Sequence, residues 1–261
     1  MSGRGCLSDL IYKIMVMDII KKMKQSYSFI YTLLLKTEHN LKLIFYKLNF
    51  DKTIYFNFKY FSFYTAIHFP VLIYKRTSLY KMEGTIKMNV PPKWGLIKIG
   101  PHNLGTQDFK YSRTMWEVCG TLVVNGMVYI GRGTKISIGK NATLVLGDKF
   151  MISGKSDIIC QKEITFGNDC LLSWDILIMD TDFHKILNKD GEIVNAPRPI
   201  NIGNHVWICC RNTILKGVTI SDNNIISANS TITKSISESN CAIGGNGKDV
   251  VILKRDINWE M

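Results

Sequence analysis

Along most of this chain the large apolar residues recur neither every 3.6 residues nor every second residue, the periods of an amphipathic helix and a half-buried strand. They recur every six. Ile202, Ile208, Ile214, Ile220, Ile226 and Ile232 are all isoleucine, and the same step links Phe166, Leu172 and Ile178, and Ile152, Ile158 and Ile164. An apolar-x-apolar-Gly unit runs with it: I-K-I-G (97–100), V-Y-I-G (128–131), I-S-I-G (136–139), L-V-L-G (144–147), I-T-F-G (164–167) and I-N-I-G (200–203). One aliphatic residue per six positions predicts short strands joined by tight corners. Three sides close a triangular coil of about 18 residues, and coils stack at the roughly 4.8 Å strand spacing with the aliphatic column as core. Corners need residues that tolerate positive φ; Gly203, Asn223, Asn224 and Asn229 are the candidates. The expected fold class is all-β, a solenoid.

The period fails in two places. Before residue 90 it is absent: residues 17–35 and 41–50 read as helices of blurred periodicity, and 53–64 alternates apolar and polar only loosely. The expected organisation is a basic, aromatic-rich N-terminal region at 1–89, mixed or helical, then the solenoid at 90–261. Met17, followed by Asp18 and a helical pattern, reads as an alternative start. Inside the solenoid, Ile178 should be followed by an aliphatic residue at 184, and His184 stands there instead. Residues 180–199 carry Asp190-Gly191 and two prolines, Pro197 and Pro199, before the pattern resumes at Ile200. This predicts a loop thrown out of the coil. Long excursions from a rigid scaffold are where function tends to sit.

The composition, 46% hydrophobic and 21% charged over 261 residues, excludes a disordered or disulfide-scaffold protein. No apolar run reaches the roughly 18 residues a membrane span needs; the nearest, 54–74, is broken by Asn57, Lys59 and His68. No secretory signal pattern opens the chain. The expectation is a soluble, cytoplasmic protein. Its seven cysteines are odd in number, lack a C-x-x-C pair and include the adjacent Cys209 and Cys210, which fits free thiols in a reducing compartment. Charge is uneven: residues 1–90 hold 14 Lys and Arg against 5 Asp and Glu, and 91–261 hold 19 against 16. Basic and aromatic together suit nucleic acid, but no RNP, KH, zinc-finger or helix-turn-helix signature is present. That leaves peripheral attachment to an anionic membrane surface, or a cap that buries its aromatics and leaves Lys in water.

The hexapeptide period, over about residues 90–250, resembles the left-handed parallel β-helix of the hexapeptide-repeat acyltransferases. The stretches I-G-N-H-V-W-I-C-C-R-N-T-I-L-K-G-V-T-I (202–220) and I-S-A-N-S-T-I-T-K (226–234) are similar to the closing coils of the galactoside, maltose and xenobiotic O-acetyltransferase group. S-W-D-I-L-I-M-D-T-D-F-H (173–184) is similar to the branch acting on capsular and other surface polysaccharides. The resemblance implies acetyl-CoA-dependent O-acetylation of a saccharide, with no metal, by a homotrimer whose active site lies between subunits.

A sugar hydroxyl needs a base to become a nucleophile, and an imidazole, with an ordinary pKa near 6.5, suits the task. The resemblance puts the catalytic histidine at His184. Asp180 and Asp182 lie beside it, either able to accept from its second ring nitrogen, with Asp182 favoured. The resemblance further places the N–H of Cys210 as oxyanion donor, Trp207 as a flat wall, Ala228 against the pantetheine arm, and Thr233 and Lys234 near the cofactor's phosphates. Two departures stand out. W-I-C (207–209) replaces the usual W-I-G, and the tail reads G-G-N-G-K-D (244–249) without proline, leaving Lys248, Lys254 or Arg255 to grip phosphates. His205 reads as wall or rim; His39, His68 and His102 lie outside any motif.

Rival readings keep the fold and change the chemistry. Cys209 or Cys210 with His184 would form an acyl-enzyme. A zinc carbonic anhydrase would need three converging histidines, which five scattered ones do not supply. A solenoid serving only as scaffold or binding surface would have no use for D-T-D-F-H, and an acyl group other than acetyl remains an alternative donor. A nucleotide-sugar enzyme is disfavoured because the first 90 residues hold no Gly-rich phosphate loop.

Overall fold

The computed structural model describes residues 47–101, 104–105, 107–108 and 110–260. The segment 17–35, His39 and His102 therefore lie outside the described residues, as does most of 41–50. From residue 48 onward the chain forms one unit. Its strands lie in three sheets of nine, seven and six strands, and within each sheet a strand's neighbours come from the preceding and following coils. In the later coils the register step is one triangular turn: Ile208 lies beside Ile226, Ile214 beside Ile232 and Ile202 beside Ile220. This is the left-handed parallel β-helix. The isoleucine column fills its axis, with Ile208, Ile214, Ile226 and Ile232 wholly buried. Each contributes about 1.5–3 kcal/mol by leaving water.

The solenoid starts earlier than expected. Val71–Ile73, Thr77–Met82 and Thr85–Met88 form the outermost strands of the three sheets, so the boundary drawn at residue 90 falls after the first coil. The period is hidden there because this coil is the end of the stack. A helix, α1 (Phe50–Tyr60), covers it, so Val71, Leu72 and Ile73 are all buried and alternation disappears. The loose alternation over 53–64 is thus helix, followed by the short α2 (Phe63–Ala66). Asn49 caps α1 by accepting from the Lys52 N–H at 3.0 Å, and Asp51 lies in the first turn.

The helix closes the open sheet edge with polar side chains. Asn57 donates to the Val71 carbonyl at 2.7 Å and accepts from the Val71 N–H at 3.1 Å. Thr53 Oγ1 accepts from the Ile73 N–H at 3.0 Å. Phe56, wholly buried, meets Trp116 edge-on at 5.3 Å. At the opposite end Val251–Lys254 reverses direction and pairs antiparallel with Ala242–Gly244. Among the described residues no helix is long and apolar enough to cross a membrane.

Corner chemistry follows the same six-residue step. His205, Arg211, Gly217, Asn223 and Asn229 all take positive φ between 54° and 79°. Asn223 and Asn229 were expected there; Gly203 and Asn224 were too, and are not. Gly203 is small because a Cβ would lie 2.3 Å from Asp222 Oδ1. Asn224 is wholly buried and pins two coils, donating to the Ser221 and Glu238 carbonyls and accepting from the Cys241 N–H. On the edge between the third and first sheets, Asp148, Asn168, Asn204 and Asp222 form a ladder. Each of the last three accepts the backbone N–H of the previous member at 2.7–2.9 Å.

Candidate active site

The excursion at 180–199 leaves the coil between Leu177–Met179 of the second sheet and Ile200–Ile202 of the third. Lys216 stands on the same edge one coil on, since Met179 pairs with Leu215. Thr233 and Lys234 follow one coil later, since Thr213 pairs with Thr231, and both are exposed.

Asp180 ties the loop down. Wholly buried, it accepts the N–H groups of Gln161, Lys162 and Glu163 at 2.7, 2.8 and 2.8 Å. Asp182 Oδ2 accepts from Asn195 Nδ2 at 2.8 Å and from Lys216 Nζ. The Lys216 ammonium and the Asn195 amide hold the Asp182 carboxyl below the usual carboxylate range. Sequence proximity had suggested Asp182 as the partner of the His184 ring. Among the described residues no hydrogen bond links the Asp182 carboxylate to the His184 ring, while the His184 N–H donates to the Asp182 carbonyl at 2.7 Å. Among the described residues nothing bonds to the imidazole, which is exposed on the wall of a cavity of about 320 Å³ shared with Gln161, Phe183 and Asn195.

The remaining candidates occupy another edge. Cys210 and Ala228 fall in the turns that follow Trp207–Ile208 and Ile225–Ile226, paired strands of the first sheet, and so share the edge between the first and second sheets. Among the described residues no group accepts the N–H of Cys210, while its carbonyl accepts from Asn229 at 3.0 Å. Trp207 is half-buried and donates from Nε1 to Ser173 Oγ at 3.1 Å. Trp259, in the tail, packs against it at 5.9 Å and stacks flat on His205 at 4.3 Å. His205 Nε2 faces two acceptors, Asn258 Oδ1 at 3.1 Å and the Trp259 carbonyl at 3.0 Å, so this nitrogen carries the hydrogen. Burial pushes the Cys209 thiol up to about 11, with Cys210 adding to the shift, so it is protonated at neutral pH. Lys248, Lys254 and Arg255 are exposed in the tail.

Asn195, Lys216, Ser173 and Trp259 were not singled out from sequence. The signal for Lys216 is positional: it shares the loop's edge. Among the described residues no three His, Cys, Asp or Glu side chains gather as a metal site, and His68 bonds to the Tyr64 carbonyl at 2.8 Å.

No family model matches the chain. Galactoside O-acetyltransferase of Escherichia coli K12 is 34% identical over 119 residues, 45% of this chain and 54% of that protein. Polysialic acid O-acetyltransferase of Escherichia coli O1:K1 is 28% identical over 138 residues, 52% of this chain and 41% of that protein. This chain thus spans about half the length of the curated relatives it matches. Among solved structures, the polySia-specific acetyltransferase NeuO aligns at 21% identity and a TM-score of 0.39, covering 74% of this chain and 79% of that one. In its hexapeptide repeat the chain is similar to the galactoside and polysialic acid O-acetyltransferases.

Proposed function

We propose that the chain is an O-acetyltransferase that moves the acetyl group of acetyl-CoA to a hydroxyl of a saccharide, a surface polysaccharide or its precursor. The observation that carries this reading is the exposed imidazole of His184 on a cavity wall, without a hydrogen-bond partner among the described residues, in a loop pinned to a rigid coil. The named activities of the relatives support it.

His184 takes the proton of the attacking hydroxyl as its oxygen forms a bond to the thioester carbonyl carbon. The resulting oxyanion is met by the Cys210 N–H, which has no described partner to give up. Collapse breaks the carbon–sulfur bond, and the imidazolium returns its proton to the leaving thiolate. Ala228 leaves room for the pantetheine arm, Trp207 flanks it, and Thr233 and Lys234 face the phosphates. The His184 loop and the Cys210 corner sit on different edges of one prism, and a β-helix does not bend to join them. Packing of three copies side by side puts the loop of one against the Cys210 edge of the next, so the homotrimer is part of this reading.

Mixing tests both halves. His184→Ala lowers turnover at least about 100-fold with CoA affinity unchanged, and Cys210→Pro removes the N–H. Co-refolding the two inactive variants at equal ratio restores about one quarter of the wild-type rate if the site is shared between neighbours. No restored activity would place both groups in one subunit, and full activity of His184→Ala would remove the base.

A further inference from the structure

Among the described residues no hydrogen bond or ion pair reaches the His184 ring, so its direction follows the backbone that carries it. Two observations meet there. Phe183 takes φ of 61°, a left-handed conformation that a bulky residue rarely adopts. It is the centre of a three-residue turn closed by the His184 N–H and the Asp182 carbonyl. Such strain persists only where the surroundings over-determine it.

The surroundings are Thr181, whose Oγ1 accepts the Phe183 N–H at 2.9 Å, and two residues beyond the turn. The Asn195 amide donates to the His184 carbonyl and to Asp182 Oδ2, both at 2.8 Å, and its Oδ1 accepts from the Ile186 N–H at 2.7 Å. It therefore grips the chain on both sides of the histidine. Lys216, whose side chain is 14% exposed, anchors the grip to the coil: Nζ donates to Asp182 Oδ2 and to the Asn195 carbonyl, the latter at 2.7 Å. One ammonium from the rigid edge thus binds the start and the return of the loop, while the tip closes on itself through the Leu187–Ile193 bridge and Asn188.

We propose that Asn195 and Lys216 are positioning residues for His184, holding the Phe183 turn and with it the direction of the imidazole. This rests on His184 being the base. Asn195→Ala and Lys216→Met in the full chain lower kcat by about 10- to 100-fold. KM for acetyl-CoA changes less than about twofold, because the cofactor groove is untouched. The acid limb of the pH–rate profile keeps its position, since the brace does not contact the ring, and Lys216→Arg recovers most of the rate.

Histidine-selective NMR supplies a readout independent of turnover: the His184 ring signals broaden or split in Asn195→Ala while the melting temperature holds. Wild-type kcat in both variants, or a displaced acid limb, overturns the proposal. If the wild-type chain transfers no acetyl group, the functional reading fails by itself. The ring signals then decide the brace, and unchanged signals in Asn195→Ala sink it. Asn195→Ala alone carries the comparison if Lys216→Met does not fold.

Discussion

Asp180 separates a structural account of this loop from a catalytic one. Its carboxylate is wholly buried and spends Oδ1 on the Gln161 N–H and Oδ2 on those of Lys162 and Glu163. The Cys160 thiol, pushed up by burial and then by the Asp180 charge, stays protonated and approaches Oδ2 at 3.7 Å. Asp180→Asn turns one oxygen into a donor facing donors, leaving at least one N–H orphaned; one such group costs about 1–3 kcal/mol. Asp180→Ala orphans all three, and with water entering the gap the loss is about 3–5 kcal/mol, a large share of a domain's usual 5–15. Urea unfolding of both variants, followed by circular dichroism, reads this as a fall in midpoint at constant slope, larger for Ala. Were Asp180 instead the partner of His184, Asn would leave the midpoint in place and lower only turnover. That result would refute the reasoning.

The Asp182–Lys216 pair gives a pH signature. Because its folded-state pKa is depressed, its contribution is complete above the unfolded value near 3.9 and lost as pH falls through the folded one. With Asp182 43% exposed it is worth about 0.2–1 kcal/mol, so the melting-temperature gap between wild type and Asp182→Asn is steady from pH 5 to 7 and narrows as pH falls below the unfolded value near 3.9. For Cys209, burial and a pKa of about 11 predict slow alkylation by iodoacetamide at pH 8 and turnover within about threefold of wild type for Cys209→Ala. A trapped acyl-thioester at Cys209 would restore the thiol-nucleophile reading.

The coil was legible because its period is local: each Ile from 202 to 232 sits at the same place on its own side of the triangle, whatever the neighbouring coils hold. The 180–199 excursion was legible for the same reason, as the place where a residue owed to the core is His184. What sequence did not show depends on register between coils. Lys216 meets Asp182 across 34 positions, and His205 meets the Trp259 carbonyl across 54; nothing in a six-residue period says which columns stack. Adjacency in sequence pointed Asp182 at His184, whereas the Asp182 carboxylate is taken up by Asn195 and Lys216. The opening strand of the first coil, Val71–Ile73, was hidden by burial on both faces, which erases the alternation that would mark it.

The nine-stranded sheet of this stack is closed at both ends, and that bears on how copies meet. A β-helix whose last coil is bare presents a row of unpaired N–H and C=O groups, a template for end-to-end growth. Here Asn57 and Thr53 take up Val71 and Ile73 at one end. At the other, Val251–Lys254 runs against the direction of every other paired strand in its sheet and cannot hand on a parallel register. Parallel addition to this sheet is thereby disfavoured, while the edges between sheets carry the His184 loop on one side and, on another, the Cys210 N–H, which has no acceptor among the described residues. On the function proposed above, side-by-side association is the arrangement in which the two halves of the site face each other.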